Sequence, residues 1–208
     1  MPPNPERRSE RARVAILEAA LALCQEHGYP ATTMEAIAKR AGVGKQTIYR
    51  WWPSKAAVLQ EAVNENVGAA TDFPDTGDIV ADLRSQMAMV VGLLTSETLS
   101  PYTRGLIVAA QSDSDIARSL VANIIEPRTR ACRERLEIAV KQGQLRDDVD
   151  LNDVVELLYA PLYYRMLLHT RPLTAQQVDH ILDLAFTGLA PSVEKPVRAR
   201  RHAGRTTK

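Results

Sequence analysis

The chain of 208 residues predicts an all-α protein of about nine helices, on three observations. Aromatic residues form only 5% of it, whereas Ala, Leu, Val and Arg abound. No window alternates β-branched with polar residues, and apolar residues recur at helical spacing between well-marked stops.

Residues 1 to 8, rich in Pro and Arg, read as a flexible arm. Ser9 then caps a first helix whose apolar stripe includes Val14, Leu17, Leu21 and Cys24. That helix stops at His27-Gly28, and Tyr29-Pro30 imposes an extended connection. Thr32 followed by Glu35 has capping-box spacing for a short second helix carrying Met34, Ile37, Ala38 and Ala41. Gly42 stands where a left-handed C-cap is wanted. A third short helix, about Lys45 to Trp51, ends before Pro53. Ser54 caps a fourth running to about Glu65, with Ala57, Val58, Ala62 and Val63 facing inward.

Gly68 to Gly77, with Phe73-Pro74 and several Asp and Thr, is the clearest break in the chain. Amphipathic stretches follow at about 78–95, 101–112, 114–142, 151–169 and 174–189. Pro127 and Pro161 fall inside two of them, and each is expected to kink or split its helix. The organisation expected is a head over 9–66, a larger helical body over 78–190 and a disordered basic tail over 191–208. The tail reads equally as a solvated end or an auxiliary DNA contact.

Net charge is +1, but it is unevenly placed. Lys and Arg are in excess before residue 66 and after residue 190, and Asp and Glu are in excess between them. A polyanion would be repelled by the middle and met by the ends. The first ten residues lack a signal-peptide core, and no stretch has transmembrane length. A cytoplasmic protein with no membrane partner is expected. Its two cysteines, Cys24 and Cys132, sit on apolar faces without metal-ligand spacing and read as buried thiols. There is no Gly-rich phosphate loop and no catalytic cluster, so neither an enzyme nor a cofactor is expected.

The chemistry concentrates between Thr32 and Lys55. Ala38 is small enough for two helices to cross, Gly42 permits the tight turn, and Ile37, Val43 and Ile48 make a miniature core. The outward face then carries Lys45, Gln46, Thr47, Tyr49 and Arg50, an inventory of donors, acceptors and positive charge suited to the major groove. Thr33 at the start of the second helix and Lys55 in the first turn of the fourth are placed for phosphates. A Lys in a first turn opposes the helix dipole, a conflict that a phosphate between the two helices would relieve.

Through "TTMEAIAKRAGVGKQTIYRWWPSKAAVLQEAV", residues 32 to 63, the chain resembles the tetracycline-repressor (TetR) family of transcription regulators over roughly residues 9 to 65. The resemblance implies an N-terminal helix-turn-helix DNA-binding domain plus a larger helical ligand-binding and dimerisation domain. By it, Thr33, Tyr49 and Lys55 look like phosphate contacts, and Lys45, Gln46, Thr47 and Arg50 sit where base and backbone contacts are made. Trp51 looks like a surface aromatic beside the sugar-phosphate chain, and Trp52 like core. Two positions depart from the pattern: Gly44 replaces a small hydroxyl residue, removing a cap and a phosphate donor, and Gln46 replaces a tiny one. Gln46 is therefore expected to read a base, adenine being its natural bidentate partner.

"GQLRDDVD" and the following "VVELLYAPLYYRMLLHTRPLT" resemble one C-terminal subgroup of the family. This implies a homodimer through the last two helices, with Leu158, Leu162, Ile181, Leu182, Ala185 and Leu189 as the seam. It also implies a palindromic double-stranded DNA operator and a small-molecule effector that releases it. Met87, Met89, Met166, Tyr102, Tyr159, Tyr163 and Tyr164 could line an effector pocket or belong to core and interface. Arg165 and His169 could bind an acid or simply lie at the surface. An activator with the same DNA contacts, and a helical module without DNA function, are the competing readings.

Overall fold

The computed structural model describes residues 5–67 and 73–189. The readings made for residues 1 to 4, for 68–72, for the Leu189 side chain and for the tail lie outside them. Helix α1 spans Pro5–Ala31, α2 Met34–Arg40, α3 Lys45–Trp51 and α4 Lys55–Val67. Then come α5 Ile79–Thr95, α6 Ser100–Ala110, α7 Ser114–Leu120, a π-helical segment Val121–Ile125, α8 Glu126–Lys141, α9 Leu151–Leu168 and α10 Ala175–Leu189. Because α7, the π segment and α8 run on without a break, the described residues form nine rods and no strand. No single helix among them is long and apolar enough to cross a membrane.

Helix α1 begins at Pro5, four residues before the expected cap. Proline suits a first helical position, where its fixed φ is already helical and its missing N–H would have had no partner. The helix ends as expected, since Gly28 takes φ 79° and turns the chain toward Tyr29. Val14 is 38% exposed, not core. The buried face is Ile16, Leu17, Ala20, Leu21 and Cys24, which keeps three of the four residues read in sequence and has Ile16 and Ala20 in place of Val14.

The cap of α2 also moves by one residue. Thr33 is the N-cap, accepting from Ala36 N at 3.1 Å, while Thr32 is buried and donates its hydroxyl to Gly28 O at 2.9 Å. Two adjacent threonines offer equivalent hydroxyls, and the one that can reach the α1 terminus is drawn inside. Gly42 ends α2 at φ 67°, with Gly42 N donating to Lys39 O and Val43 N to Ala38 O, the paired bonds of a Schellman turn.

The rod does not split at Pro127: the π segment Val121–Ile125 lies just before it, and its wider turn accommodates a ring and a missing N–H that an α-helical ladder would resist. Helix α9 runs through Pro161.

Two cores form. One gathers α1 to α4 with Leu99, Tyr102 and Leu106 of the α6 region and Ile124; the other gathers α5, α8, α9 and α10. Helix α6 therefore packs with the head although it follows the chain break. The contact is close, for a Cβ at Gly105 would lie 2.2 Å from Tyr29 Cβ. Leu158, Leu162 and Leu182 are completely buried within the protomer, and Ile181 and Ala185 nearly so. They serve the internal core, not the expected seam. The apolar side chains that α9 and α10 leave outside are Leu157, Tyr164, Leu168 and Leu184.

The expected pocket set also divides. Met87 and Met166 pack in the second core, with Tyr159 and Tyr163 half-buried against it. Tyr102 packs in the first core, and Met89 and Tyr164 are exposed. Tyr159 donates its hydroxyl to Gln86 Oε1. Both cysteines are buried and free.

The second core holds an ion pair that the sequence did not announce. Arg135 donates from Nη2 to Asp82 Oδ2 at 2.6 Å and from Nε at 3.0 Å, with both side chains almost wholly buried. Thr76 donates its hydroxyl to the other carboxylate oxygen at 2.6 Å. Burial pushes the Asp82 carboxyl up, but the bonds from Thr76 and Arg135 outweigh it and hold it below its ordinary range.

Candidate nucleic-acid interface

Helix α3 has seven residues, so each side chain's role follows from its angle about the axis at about 100° per residue. Ile48 points inward and is completely buried with Ile37 and Ala38 of α2. Lys45, Tyr49, Gln46 and Arg50 then sweep an exposed arc of about 140° on the far side. Thr47 and Trp51 flank the buried edge and are half-buried.

Each expected residue has a definite place. Thr33 is exposed at the head of α2. Gly44 is exposed and is the N-cap of α3 without a side-chain bond, as its lack of a hydroxyl requires. Lys45 pairs with Glu35 of α2 at 2.8 Å on the open surface. That contact raises the Lys45 pKa and lowers that of Glu35. Such an exposed pair is screened by solvent and salt, so it positions the ammonium without locking it. Tyr49 is 48% exposed, and the Arg50 guanidinium lies 5.3 Å from the Trp51 ring centroid.

Trp51 is less of a surface aromatic than expected. It packs against the head core and meets Trp52 edge-on at 5.4 Å. Trp52 is core, 4% exposed, and its indole N–H donates to Glu61 Oε2 at 2.6 Å. A large aromatic is tolerated there because its one polar atom finds a carboxylate.

Lys55 turns inward. Its Nζ donates to Tyr29 O at 2.8 Å and Pro30 O at 3.1 Å and lies 4.5 Å from the Tyr29 ring centroid. Burial lowers its pKa. The carbonyls after α1 therefore answer the dipole conflict read in sequence, with no phosphate required. Lys55 also sutures the start of α4 to the segment immediately before Thr33.

Ser9 and Arg11 were missed in sequence. With Ala12 and Ala15 of α1 they form one wall of a groove whose other wall is Ala41 to Val43, Thr47, Arg50 and Trp51. No local signal marks them, since which side of α1 faces α3 depends on how α1 is rotated in the bundle. Among the described residues no cluster of His, Cys, Asp and Glu could hold a metal.

Residues 16–62 match the model of bacterial regulatory proteins of the tetR family, and residues 73–185 match the tetracyclin repressor-like C-terminal domain. The chain is 33% identical to an uncharacterized HTH-type transcriptional regulator of Bacillus subtilis strain 168, YdeS, over 88% of this chain and 91% of that one. It is 29% identical to the DNA-binding transcriptional repressor TetR of Mycobacteroides abscessus, over 77% and 85% respectively. Among solved structures, the TetR family transcription regulator SCO0332 superposes with a TM-score of 0.72 at 33% identity, covering 86% of this chain and 99% of that one.

Proposed function

The chain belongs to the TetR family of transcription regulators, and on that premise we propose that it is a cytoplasmic, dimeric repressor released from a palindromic operator by a small molecule. Its relatives are regulators and not enzymes, and this chain is a regulator too. The observation that carries the reading is the exposed arc of α3, where charge, amide and hydroxyl have been kept out of the core by a helix too short to need them for packing.

In this reading the head, residues 9–66, touches DNA and the body, 78–190, dimerises and senses. Lys45, Gln46, Thr47 and Arg50 meet base edges and the adjoining backbone, and the Gly44 N–H and the Thr33 and Tyr49 hydroxyls meet phosphates. Trp51 lies along the sugar-phosphate chain, its ring steadying Arg50. Lys55 adds its charge and the one ammonium proton that the two carbonyls leave over. Arg11 joins Arg50 at the same groove.

One seven-residue helix makes few contacts, so a two-fold protein gains by engaging half-sites about 34 Å apart. Leu157, Tyr164, Leu168 and Leu184 are the apolar surface available for that pairing. An effector acts only through a difference in its affinity for the two shapes, commonly about 1–3 kcal/mol. Repression is favoured over activation by the relative described as a repressor.

The test is footprinting on DNA upstream of the chain's own and neighbouring genes across a salt series. Two protected half-sites about one DNA turn apart and a steep loss of affinity with salt are expected. A monomer without DNA affinity at low salt ends the proposal. Gln46→Ala refines it: discrimination at one base should fall by about 1–3 kcal/mol, and unchanged binding to every single-base variant would remove Gln46 as a reader.

A further inference from the structure

Among the described residues, several cations are spent on carboxylates. Arg13, Arg40, Lys45, Arg84, Arg118, Arg130, Arg133, Arg135 and Arg146 each pair with an Asp or Glu. Arg104, Arg165 and Arg171 have no carboxylate partner among the described residues, and all three line one groove. It lies between the end of α5, the start of α6 and the turn from α9 to α10, with Gln25 of α1 at its edge.

Three guanidiniums and His169 face a single acid there, Glu97, which is exposed. Arg165 is oriented by donating to Pro172 O at 3.2 Å. His169 caps α9 in the left-handed conformation at φ 52°, which brings the chain round so that Arg171 returns to the same groove. The remaining walls are apolar, with Leu94 and Met166 buried beneath and Leu173, Pro101 and Pro172 beside them. The volume, about 560 Å³, is that of a small-molecule site.

We propose that this groove binds a small carboxylate with an apolar tail, the carboxylate taken by Arg104 and Arg165 with Arg171 closing from the turn. Guanidinium forks match carboxylate geometry, and cations left without a carboxylate partner have no ion pair to give up on binding. DNA is not the ligand. The groove shares no residue with α2 or α3, and Gln25 stands sixteen positions along α1 from Ser9, about 24 Å at the helical rise.

The location deepens the effector reading and rests on it. Arg104 precedes Gly105, whose backbone is pressed on Tyr29, and Tyr29 O is the carbonyl that Lys55 holds. A ligand that draws Arg104 toward α9 therefore bears on a contact without slack at the entry to the helix-turn-helix.

The experiment is isothermal titration of the full chain, without DNA, with octanoate, 1-octanol and inorganic phosphate, comparing wild type with Arg104→Gln and Arg165→Gln. Octanoate should bind at least about tenfold more tightly than either other probe, and each variant should weaken it at least about tenfold with its thermal melt unchanged. Octanol binding as well as octanoate, phosphate binding as well as octanoate, equal affinity in both variants, or no heat with octanoate at millimolar concentration would each overturn the site. Because DNA is absent, failure here is separable from failure of the operator reading, which footprinting decides alone.

Discussion

The head and the body leave different things unsatisfied on their surfaces. On α3 the head exposes Gln46, Tyr49 and Arg50 without ion-pair partners, and Lys45 is held only by an open surface pair. The body leaves apolar side chains outside, with Leu184 78% exposed. A surface meant for a polyelectrolyte keeps its charge available, since counterions and phosphates exchange at small cost. In the proposed dimer, a surface that meets its own copy keeps hydrocarbon available, since burial is what stabilises a lasting contact.

That contrast can be broken most severely at Asp82. Asp82→Ala leaves Arg135 charged and buried, and should cost about 3–5 kcal/mol in urea denaturation. The pH dependence has a definite sign. The Asp82 carboxyl is held below its ordinary range in the fold, so its contribution is complete above about pH 4 and is lost as acidification passes through the lowered folded value. The variant should lose that acid-side slope. Leu184→Asp should weaken the proposed dimer by about 3 kcal/mol across its two copies, read by sedimentation, while the protomer's melt stays put. A variant that remained as tightly dimeric would mean that the exposed hydrocarbon serves something else.

Gly105→Ala tests the seam between the regions. Its methyl group has no room against Tyr29, so a loss of about 1–3 kcal/mol is expected, with a matching fall in operator affinity because Tyr29 adjoins Lys55. Lys45→Ala has the smallest effect on folding and should leave the melt where it is. It should nevertheless lower the salt slope of DNA binding by about 1 for each copy that touches a phosphate. A large melt shift for Lys45→Ala would erase the distinction between free and structural charge.

Much of the head was legible because its signals are local. Gly42 at positive φ, the bounds of α3 and the inward Ile37, Ala38 and Ile48 depend on residues a few positions apart. The errors came where two residues were locally equivalent, as with the cap at Thr32 or Thr33, or where a partner was distant in sequence, as with Lys55 and the Tyr29 carbonyl. In the body, helix positions were readable, but the direction each face points was not. Leu158 and Leu162 look as fit for a seam as Leu157 and Leu168.

By itself the sequence determined the helical class, the turn at Gly42 and the charged arc on α3, because periodicity, caps and glycine conformations are properties of neighbouring residues. Tertiary structure alone decided that α6 packs with the head, that Asp82 finds Arg135, that Lys55 turns inward and that three arginines share one groove. Each of these joins residues more than twenty positions apart, and only the packing of whole helices determines which side chains meet.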